Sequence, residues 1–228
     1  MRFHNAPVAA AALLLSCYSS FPASAAQSTD AGPLAPVDKR ENAAPWPSDA
    51  VIQLTKWVVA SGDNGGLPFM MIDKPEAAVF VFDAQSQFVG ATPALVGSAV
   101  GDESDPGVGD RELSAIAPDK RTTPAGRFVA GFGPAYGRKQ VLWVDFSTAV
   151  SMHPVITGNR KEHRLERLQS PTPDDNRITY GCINVPRDFY ANVVSPIFKG
   201  TKGIVYILPE TKPVSEVFLA FRPADAAR

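Results

Sequence analysis

The fold is decided around one stretch of the sequence, Arg177-Ile178-Thr179-Tyr180-Gly181-Cys182-Ile183-Asn184-Val185-Pro186-Arg187. A small residue and a cysteine stand there at the end of a predicted β-strand, directly before a predicted helix opened by Pro186. A thiol in this position can be exposed and can face the positive end of the helix, and both conditions favour the thiolate. The stretch therefore predicts a reactive cysteine, although on residue type alone a buried, inert Cys182 is the commoner case.

The composition is that of one ordinary globular domain with a leader. Of the 228 residues, 45% are hydrophobic and 20% are charged, and the formal net charge is -1. This hydrophobic share is enough for a sizeable core, and the lack of a basic excess gives no indication of a nucleic-acid partner. The 21 prolines and 17 glycines separate short apolar runs, which favours a β-rich domain with long loops.

Residues 1–25 have the three parts of a secretory signal peptide. Arg2 is in a short basic region, residues 6–15 are apolar, and Ala23-Ser24-Ala25 is a small-residue cleavage site. An alternative stays open, in which Leu14-Leu15-Ser16-Cys17 acts as a lipobox and Cys17 carries a lipid anchor. With either leader we expect a protein of the periplasm or one that is secreted.

An exported location gives weight to Cys182. The sequence holds two cysteines, and Cys17 belongs to the leader. Cys182 is then the odd cysteine of an exported protein, which indicates intermolecular pairing or a reactive thiol. One cysteine and two histidines in the mature chain give no zinc-type ligand set, so we expect neither a metal nor a cofactor.

The local patterns divide the chain into a linker, a domain and a tail. Residues 26–47 are polar and proline-rich and predict a flexible linker, residues 48–210 the folded domain, and residues 211–228 a C-terminal tail. A helix is predicted between the N-cap Ser48 and Gly62. Strands are predicted for residues 69–72, 78–82, 88–91, 128–132, 141–146 and 204–208.

Three further local predictions concern loops and helices. The acidic, glycine-rich residues 101–110 fail the EF-hand pattern, because position 12 counted from Asp102 is Leu113, and a solvated loop is expected. Residues 159–169 predict a short, solvated helix opened by Asn159. The helix after the cysteine stretch is expected to end near Pro196.

A cysteine nucleophile usually needs a histidine within hydrogen-bond reach to take its proton. The mature chain has two, His153 in Ser151-Met152-His153-Pro154 and His163 in a charged helical run. We favour His153 as the general base and later acid, because a strand end provides rigid geometry and a solvated helix does not. His163 remains the alternative.

Two motifs carry a resemblance to a known family. Thr179-Tyr180-Gly181-Cys182-Ile183-Asn184 resembles the signature of the L,D-transpeptidase catalytic domains (YkuD type), with its small hydroxyl residue, glycine and nucleophilic cysteine. Thr123-Pro124-Ala125-Gly126-Arg127-Phe128 is similar to the Thr-Pro-x-Gly-x-Phe segment of that family, and Met152-His153 resembles its apolar-His strand end. The similarity covers about residues 77–208 in the right order.

The resemblance implies a single α+β domain, mainly β, built on a β-sandwich or a mixed sheet with helices at its margins. It also implies an enzyme that acts on peptidoglycan stem peptides, forms a thioester on Cys182, and passes the acyl group to an amine or to water. Backbone N–H groups around Tyr180 and Gly181 would then bind the oxyanion. Asn184, together with Arg177 or Arg187, would position the substrate.

Two departures from the family pattern affect the site residues. Tyr180 stands where many members have histidine. The interval between His153 and Thr179 is longer than usual by about one short helix, whereas the 15 residues 164–178 between His163 and Thr179 fit the common spacing better. We interpret the charged helix as an insertion that shapes acceptor choice. A wall-binding domain with a degenerate site remains the non-enzymatic alternative.

Overall fold

The structure is a computed structural model that describes residues 44–135 and 138–222. The predicted signal peptide, Cys17 as the alternative anchor site, most of the predicted linker and the last six residues of the predicted tail lie outside this part of the chain. Among the described residues, none of the helices is both long and apolar enough to cross a membrane.

A mixed β-sheet forms the centre of the domain. The strands are β1 Phe69–Asp73, β2 Ala78–Phe82, β3 Phe88–Pro93, β4 Val96–Gly97, β5 Gly126–Ala135, β6 Arg138–Asp145, β7 Val150–Pro154, β8 Arg177–Thr179, β9 Ile183–Val185 and β10 Lys202–Ile207. Eight of them form one sheet in the order β3-β2-β1-β10-β5-β6-β7-β9, and β4 pairs with β8. The pairs β1–β10, β7–β9 and β4–β8 are parallel. The predicted α+β, mainly β fold is confirmed, in its mixed-sheet form.

The central strand β1 is buried on both faces, and its alternating side chains enter two different hydrophobic clusters. In β1, Met70 and Ile72 lie in one hydrophobic cluster, which includes the side chains of the helices after Cys182. Phe69 and Met71 lie in a second cluster on the other face. A strand with two buried faces is apolar along its whole length, and all five residues of β1 are buried.

Helix α1, Asp49–Ser61, covers the second cluster and forms as the sequence predicts. The Ser48 hydroxyl caps its N-terminus by accepting a hydrogen bond from the N–H of Val51. Gly62 ends it in the left-handed conformation, with its N–H bonded to the carbonyl of Val58. Val51, Leu54 and Val58 form the buried face. The predicted helix between Ser48 and Gly62 is confirmed.

The helix after Cys182 differs from the prediction. It consists of α3 Arg187–Phe189, a π-helical segment Tyr190–Val194 and α4 Ser195–Phe198. The predicted end near Pro196 is wrong, because Pro196 lies in the first turn of α4. Pro196 has no backbone N–H to donate. The helix tolerates this missing donor because the hydrogen-bond register changes where the π segment meets α4.

Two further short α-helices differ from what the sequence predicts. A 3₁₀ turn Arg160–Glu162, capped by Asn159, is separated from α2 Arg164–Gln169 by His163 in the left-handed conformation, so residues 159–169 do not form one continuous helix. Helix α5, Val214–Val217, is followed by Phe218 and Phe221, which are 5% and 3% exposed in the second cluster. Part of the predicted tail thus packs against the second cluster.

Two side chains differ in solvent exposure from what the sequence pattern predicts. Phe146, the last residue of the strand predicted for residues 141–146, lies beyond the end of β6 and is 76% exposed. Asp102, expected in a solvated loop, is 6% exposed. Asp102 is buried because it pairs with Lys74, a residue far from it in the sequence that a local polarity pattern does not reveal.

Candidate active site

The site is built on the parallel pair β7 and β9. Successive side chains of a strand point to opposite faces, so each register pair faces either the core or the site. Met152 and Ile183 are fully buried in the first hydrophobic cluster. The pairs along the two strands are Met152 with Ile183, His153 with Asn184, and Pro154 with Val185. His153 and Asn184 consequently lie side by side on the face away from that cluster.

Cys182 directly precedes β9 and lies on the same face as Asn184. Its partly exposed thiol Sγ is 3.6 Å from the hydroxyl of Ser151 and 3.6 Å from the carbonyl oxygen of Ala149. Ser151 is 5% exposed and stands two residues before His153 on β7, hence on the same face. The thiol is therefore reachable from solvent on one side and has polar neighbours on the other.

The predicted link between the thiol and a helix N-terminus requires a correction. β9 separates Cys182 from α3, whose first residue is Arg187. Ile183 and Val185 are fully buried and pair with β7, so the chain continues as a strand before the helix begins. The thiol precedes a strand rather than a helix.

His153 is 7% exposed, and its ring orientation is fixed by a backbone contact. Nδ1 lies 2.9 Å from the carbonyl oxygen of Pro154. A carbonyl oxygen can only accept, so in the neutral ring Nδ1 carries the proton and Nε2 carries the lone pair. This is the tautomer that a general base needs if it works through Nε2.

His163 occupies a different environment. Its side chain is 67% exposed, and its Nδ1 is 3.8 Å from a carboxylate oxygen of Glu166. It lies between the 3₁₀ turn and α2 on the surface. Of the two histidines considered from the sequence, His153 is the one on the strand that contacts Cys182 through Ser151.

The backbone before Cys182 is held by Thr179. The Thr179 hydroxyl accepts the N–H of Gly181 at 3.1 Å and donates to the carbonyl of Cys182 at 2.7 Å. Gly181 has φ +123°, and a Cβ there would lie 2.8 Å from the carbonyl oxygen of Thr122. Only glycine fits both this conformation and this approach. The Gly181 N–H, one of the expected oxyanion donors, is already engaged.

The second sequence motif packs directly against this loop. The hydroxyl of Thr123 donates to the carbonyl of Gly181 at 2.8 Å and accepts the N–H of Gly97 at 2.8 Å. Thr123 is 2% exposed, so both bonds are shielded from water. The Thr-Pro-Ala-Gly segment thus connects β4 to the loop that carries Cys182.

A buried ion network lies behind the Thr123 motif. Lys74 Nζ donates to Asp102 at 2.7 Å and to the Thr123 carbonyl at 3.0 Å, and the Lys74 and Asp102 side chains are each 1% exposed. Although burial alone would raise it, the pKa of the Asp102 carboxyl is held well below its ordinary value by hydrogen bonds from Lys74, Thr211 and the backbone N–H of Glu210. The network connects the end of β1 to the segment after β10.

Tyr180, half-buried in the loop that carries Cys182, has an arginine over its ring. The guanidinium carbon of Arg121 is 4.1 Å from the ring centroid, a cation–π arrangement. Arg121 Nε donates to the carbonyl of Ile116 at 3.0 Å. Tyr180 is thus part of an Arg–Tyr pair in the loop that carries Cys182.

The residues expected to position substrate lie in three different environments. Arg177 makes a short contact with Glu210, which also lies 3.5 Å from Lys74, so Arg177 belongs to the ion network. Arg187 is exposed at the start of α3. Asn184 is 1% exposed and lies between His153 and Arg164, where its contacts are to protein groups. The geometry gives Arg177 and Asn184 different tasks from the substrate contact expected.

Three site residues were not found from the sequence: Ser151, Arg121 and Arg164. Ser151 could have been, because it stands two residues before His153 on a predicted strand end and must share its face. For Arg121 and Arg164 no local signal exists, since each reaches the site from a loop or helix that only the tertiary fold brings near.

No protein-family model matches the sequence, and no curated protein matches it either. Solved structures do show similarity. The catalytic domain of the Enterococcus faecium L,D-transpeptidase is 16% identical over 62% of this chain and 96% of that chain, with a TM-score of 0.36. The L,D-transpeptidase from Mycobacterium smegmatis is 14% identical over 61% of this chain and 58% of that chain, with a TM-score of 0.37.

The helical cell shape determining protein Pgp2 from Campylobacter jejuni is also similar, with 13% identity over 69% of this chain and 56% of that chain and a TM-score of 0.41. This chain thus spans little more than half of the Mycobacterium and Campylobacter proteins. Two of the three structures are L,D-transpeptidases.

Proposed function

We propose that this protein is an exported cysteine acyltransferase of the L,D-transpeptidase type that acts on peptidoglycan stem peptides. One observation carries the proposal: the pairing of β7 with β9 puts Ser151 beside Cys182 and His153 two residues further along the same face. A partly exposed thiol is thereby combined with an imidazole of defined tautomer. A thiol and an imidazole on one face of paired strands support nucleophilic acyl transfer.

The first half-reaction forms a thioester. Cys182 gives its proton to Nε2 of His153, and the sulfur attacks the carbonyl carbon of the amide between the L-centre of the diamino acid and the terminal D-alanine. A C–S bond forms and the carbonyl oxygen becomes an oxyanion. Collapse of this intermediate breaks the C–N bond, and the imidazolium returns its proton to the nitrogen of the departing D-alanine.

The oxyanion needs donors other than the N–H of Gly181, which Thr179 already accepts. We assign this role to the backbone N–H groups of Tyr180 and Cys182, on either side of Gly181. Removing one such donor in known acyl-transfer enzymes costs several kcal/mol of transition-state stabilisation. The Thr179 and Thr123 hydroxyls support this geometry by fixing the loop on both sides.

The second half-reaction transfers the acyl group. An amine acceptor attacks the thioester carbon, His153 takes the proton of the amine, and the sulfur leaves as the Cys182 thiolate. With a stem-peptide amine the product is a cross-link, and with water the same site acts as an L,D-carboxypeptidase or amidase. The acceptor that reaches the thioester decides between these outcomes.

A carboxylate of the stem peptide needs a cationic partner. Arg177, one of the arginines expected from the sequence, is paired with Glu210. Arg121 lies on the ring of Tyr180, two residues from the nucleophile, and its Nε is held by the Ile116 carbonyl. We propose Arg121 as the carboxylate-binding residue, because a guanidinium with a fixed plane presents its remaining donors in one direction.

The proposal is tested by intact mass spectrometry of the mature protein after incubation with a purified tetrapeptide-stem muropeptide. The expected product is an adduct with the mass of the muropeptide minus one D-alanine. Cys182→Ala removes the adduct, His153→Ala slows its formation by at least about 100-fold, and His163→Ala leaves it unchanged. Analysis of the released products then distinguishes cross-linking from hydrolysis.

The opposite results are equally informative. If no adduct and no product form, and Cys182 alkylates at the same rate in His153→Ala as in the wild type, the protein is a wall-binding domain with a degenerate site. An adduct that depends on His163 and not on His153 would assign the base to the surface histidine.

A further inference from the structure

The helix expected to be an insertion is firmly docked beside the site. Leu168 of α2 is 5% exposed and packs in a small cluster with Leu95 and Val155. Arg167 donates to the carbonyl of Glu162 at 2.9 Å and to the carbonyl of Asp175 at 2.6 Å. The helix is thereby attached at its apolar face and to the loop that leads into β8.

Arg164, the first residue of α2, points into the protein. Its side chain is 11% exposed, and Nη1 donates to Oδ1 of Asn184 at 2.7 Å. Nε donates to Glu162 at 2.5 Å. A guanidinium has donors only, so this contact determines which end of the Asn184 amide is the oxygen. The amide nitrogen must then face the other way, toward His153.

Asn184 packs against the catalytic imidazole. Its Nδ2 lies 3.2 Å from Nε2 and 3.5 Å from Nδ1 of His153. The in-plane hydrogen-bonding directions of the two ring nitrogens diverge. Asn184 Nδ2 is nearly equidistant from both nitrogens, so it lies against the face of the ring and not along either direction. The amide therefore limits rotation and tilt of the ring while Pro154 accepts from Nδ1.

We propose that Arg164 is a positioning residue for the acyl-transfer reaction and acts through Asn184 on the orientation of the His153 ring. The contact chain runs from the guanidinium to Oδ1, and from Nδ2 to the imidazole. The role of His153 as the base rests on the proposed function, whereas the orientation of its ring does not. The inserted helix thus supports the site rather than only shaping acceptor choice.

The burial of Asn184 supports this assignment. Asn184 is 1% exposed, so loss of the Arg164 donor leaves a buried amide oxygen without a partner. The amide can then rotate, since its two ends differ only in hydrogen-bonding character. A misplaced base lowers the rate of acylation and leaves substrate binding intact.

The test uses the mature protein with ¹⁵N-labelled histidine and His163→Asn as the common background, so that the imidazole resonances of His153 are isolated. Arg164→Met removes the donors at similar length, and Arg167→Met is the matched control on the same helix. Two-bond ¹H–¹⁵N correlation spectra at a pH where the ring is neutral report the tautomer. We expect the Nδ1–H tautomer in the background protein and in Arg167→Met, and a tautomer mixture in Arg164→Met.

Single-turnover acylation by the muropeptide provides the second readout. We expect Arg164→Met to lower the acylation rate constant about 10- to 100-fold with the half-saturating concentration unchanged. In an Asn184→Ala background the Arg164 substitution should have little further effect, because residues that act through one another are non-additive. A wild-type tautomer in Arg164→Met, equal effects in Arg167→Met, or additive effects with Asn184→Ala would each overturn the proposal. If the background protein shows the Nδ1–H tautomer but no acylation, the proposed function fails, and the spectra still decide whether Arg164 orients the ring.

Discussion

The hydroxyl of Ser151 lies 3.6 Å from Sγ of Cys182, and the two residues stand two positions before His153 and Asn184, which pair in the register of β7 and β9. Ser151 is 5% exposed, so its hydroxyl has little access to water as an alternative partner. A hydroxyl can donate a hydrogen bond to a thiolate, because its O–H rotates freely toward an acceptor. The serine is therefore placed to stabilise the negative sulfur.

Ser151→Ala should slow alkylation of Cys182 by iodoacetamide about tenfold at neutral pH. The reason is loss of one hydrogen bond to a charged sulfur, a loss of about 1.5 kcal/mol. Ser147→Ala is the control, because the Ser147 hydroxyl in the turn before β7 bonds to Asp145. Equal alkylation rates in the two variants would show that Ser151 does not act on the thiol.

Thr123→Val should lower the free energy of unfolding by about 1–3 kcal/mol, because it leaves the buried N–H of Gly97 and the carbonyl of Gly181 without their partner. It should also slow acylation, since the Gly181 carbonyl belongs to the nucleophile loop. Thr123→Ser retains the hydroxyl and should recover most of both losses. Urea denaturation and the adduct assay measure the two effects, and a serine variant as impaired as the valine variant would contradict this role.

Arg121→Met should raise the half-saturating muropeptide concentration at least about tenfold, since a carboxylate loses a charge-assisted hydrogen bond. The rate at which the neutral reagent iodoacetamide alkylates Cys182 should stay the same. Arg111→Met is the matched control, because Arg111 pairs with Asp105 in the same long loop. If both arginine variants bind the muropeptide as the wild type does, Arg121 is not the carboxylate-binding residue.

Asp102→Asn should lower the free energy of unfolding at pH 7 by about 3–5 kcal/mol, because it removes the nearer of the two carboxylates beside the buried Lys74 ammonium and leaves Glu210 at 3.5 Å. The pKa of Asp102 in the folded protein is below its ordinary value of 3.8, so the unfolded chain binds more protons in acid. The stabilisation is complete above about pH 5 and is lost as the pH falls toward the folded-state pKa. Denaturation curves between pH 7 and pH 2.5 should therefore show the wild type approaching the variant.

The control for this prediction is Asp105→Asn. Asp105 pairs with Arg111 at the surface of the same loop, and we expect little change in stability from its substitution. Similar losses in the two variants would mean that the Lys74 network contributes no more than an ordinary surface pair.

Much of the fold follows from local patterns in the sequence. Helix α1 forms between Ser48 and Gly62 because its cap residues and its apolar spacing act within a few residues of each other. The core strands β1 and β2 are apolar runs bounded by turn residues. The stretch around Cys182 and the Thr123 motif indicate the region of the candidate site, because Gly181 and Thr123 meet backbone requirements that few other residues meet.

What the tertiary structure alone decided is the set of partners around the thiol. Ser151 meets Cys182, and His153 meets Asn184, through a cross-strand register that links residues about thirty positions apart. Arg177 pairs with Glu210, and Arg164 with Asn184, because burial leaves each charge or amide only the partners that the fold brings near. Local sequence determines which residues favour a strand, a cap or a turn, whereas the partner of a buried polar group depends on chain packing over long distances, and the chemistry of the site depends on those partners.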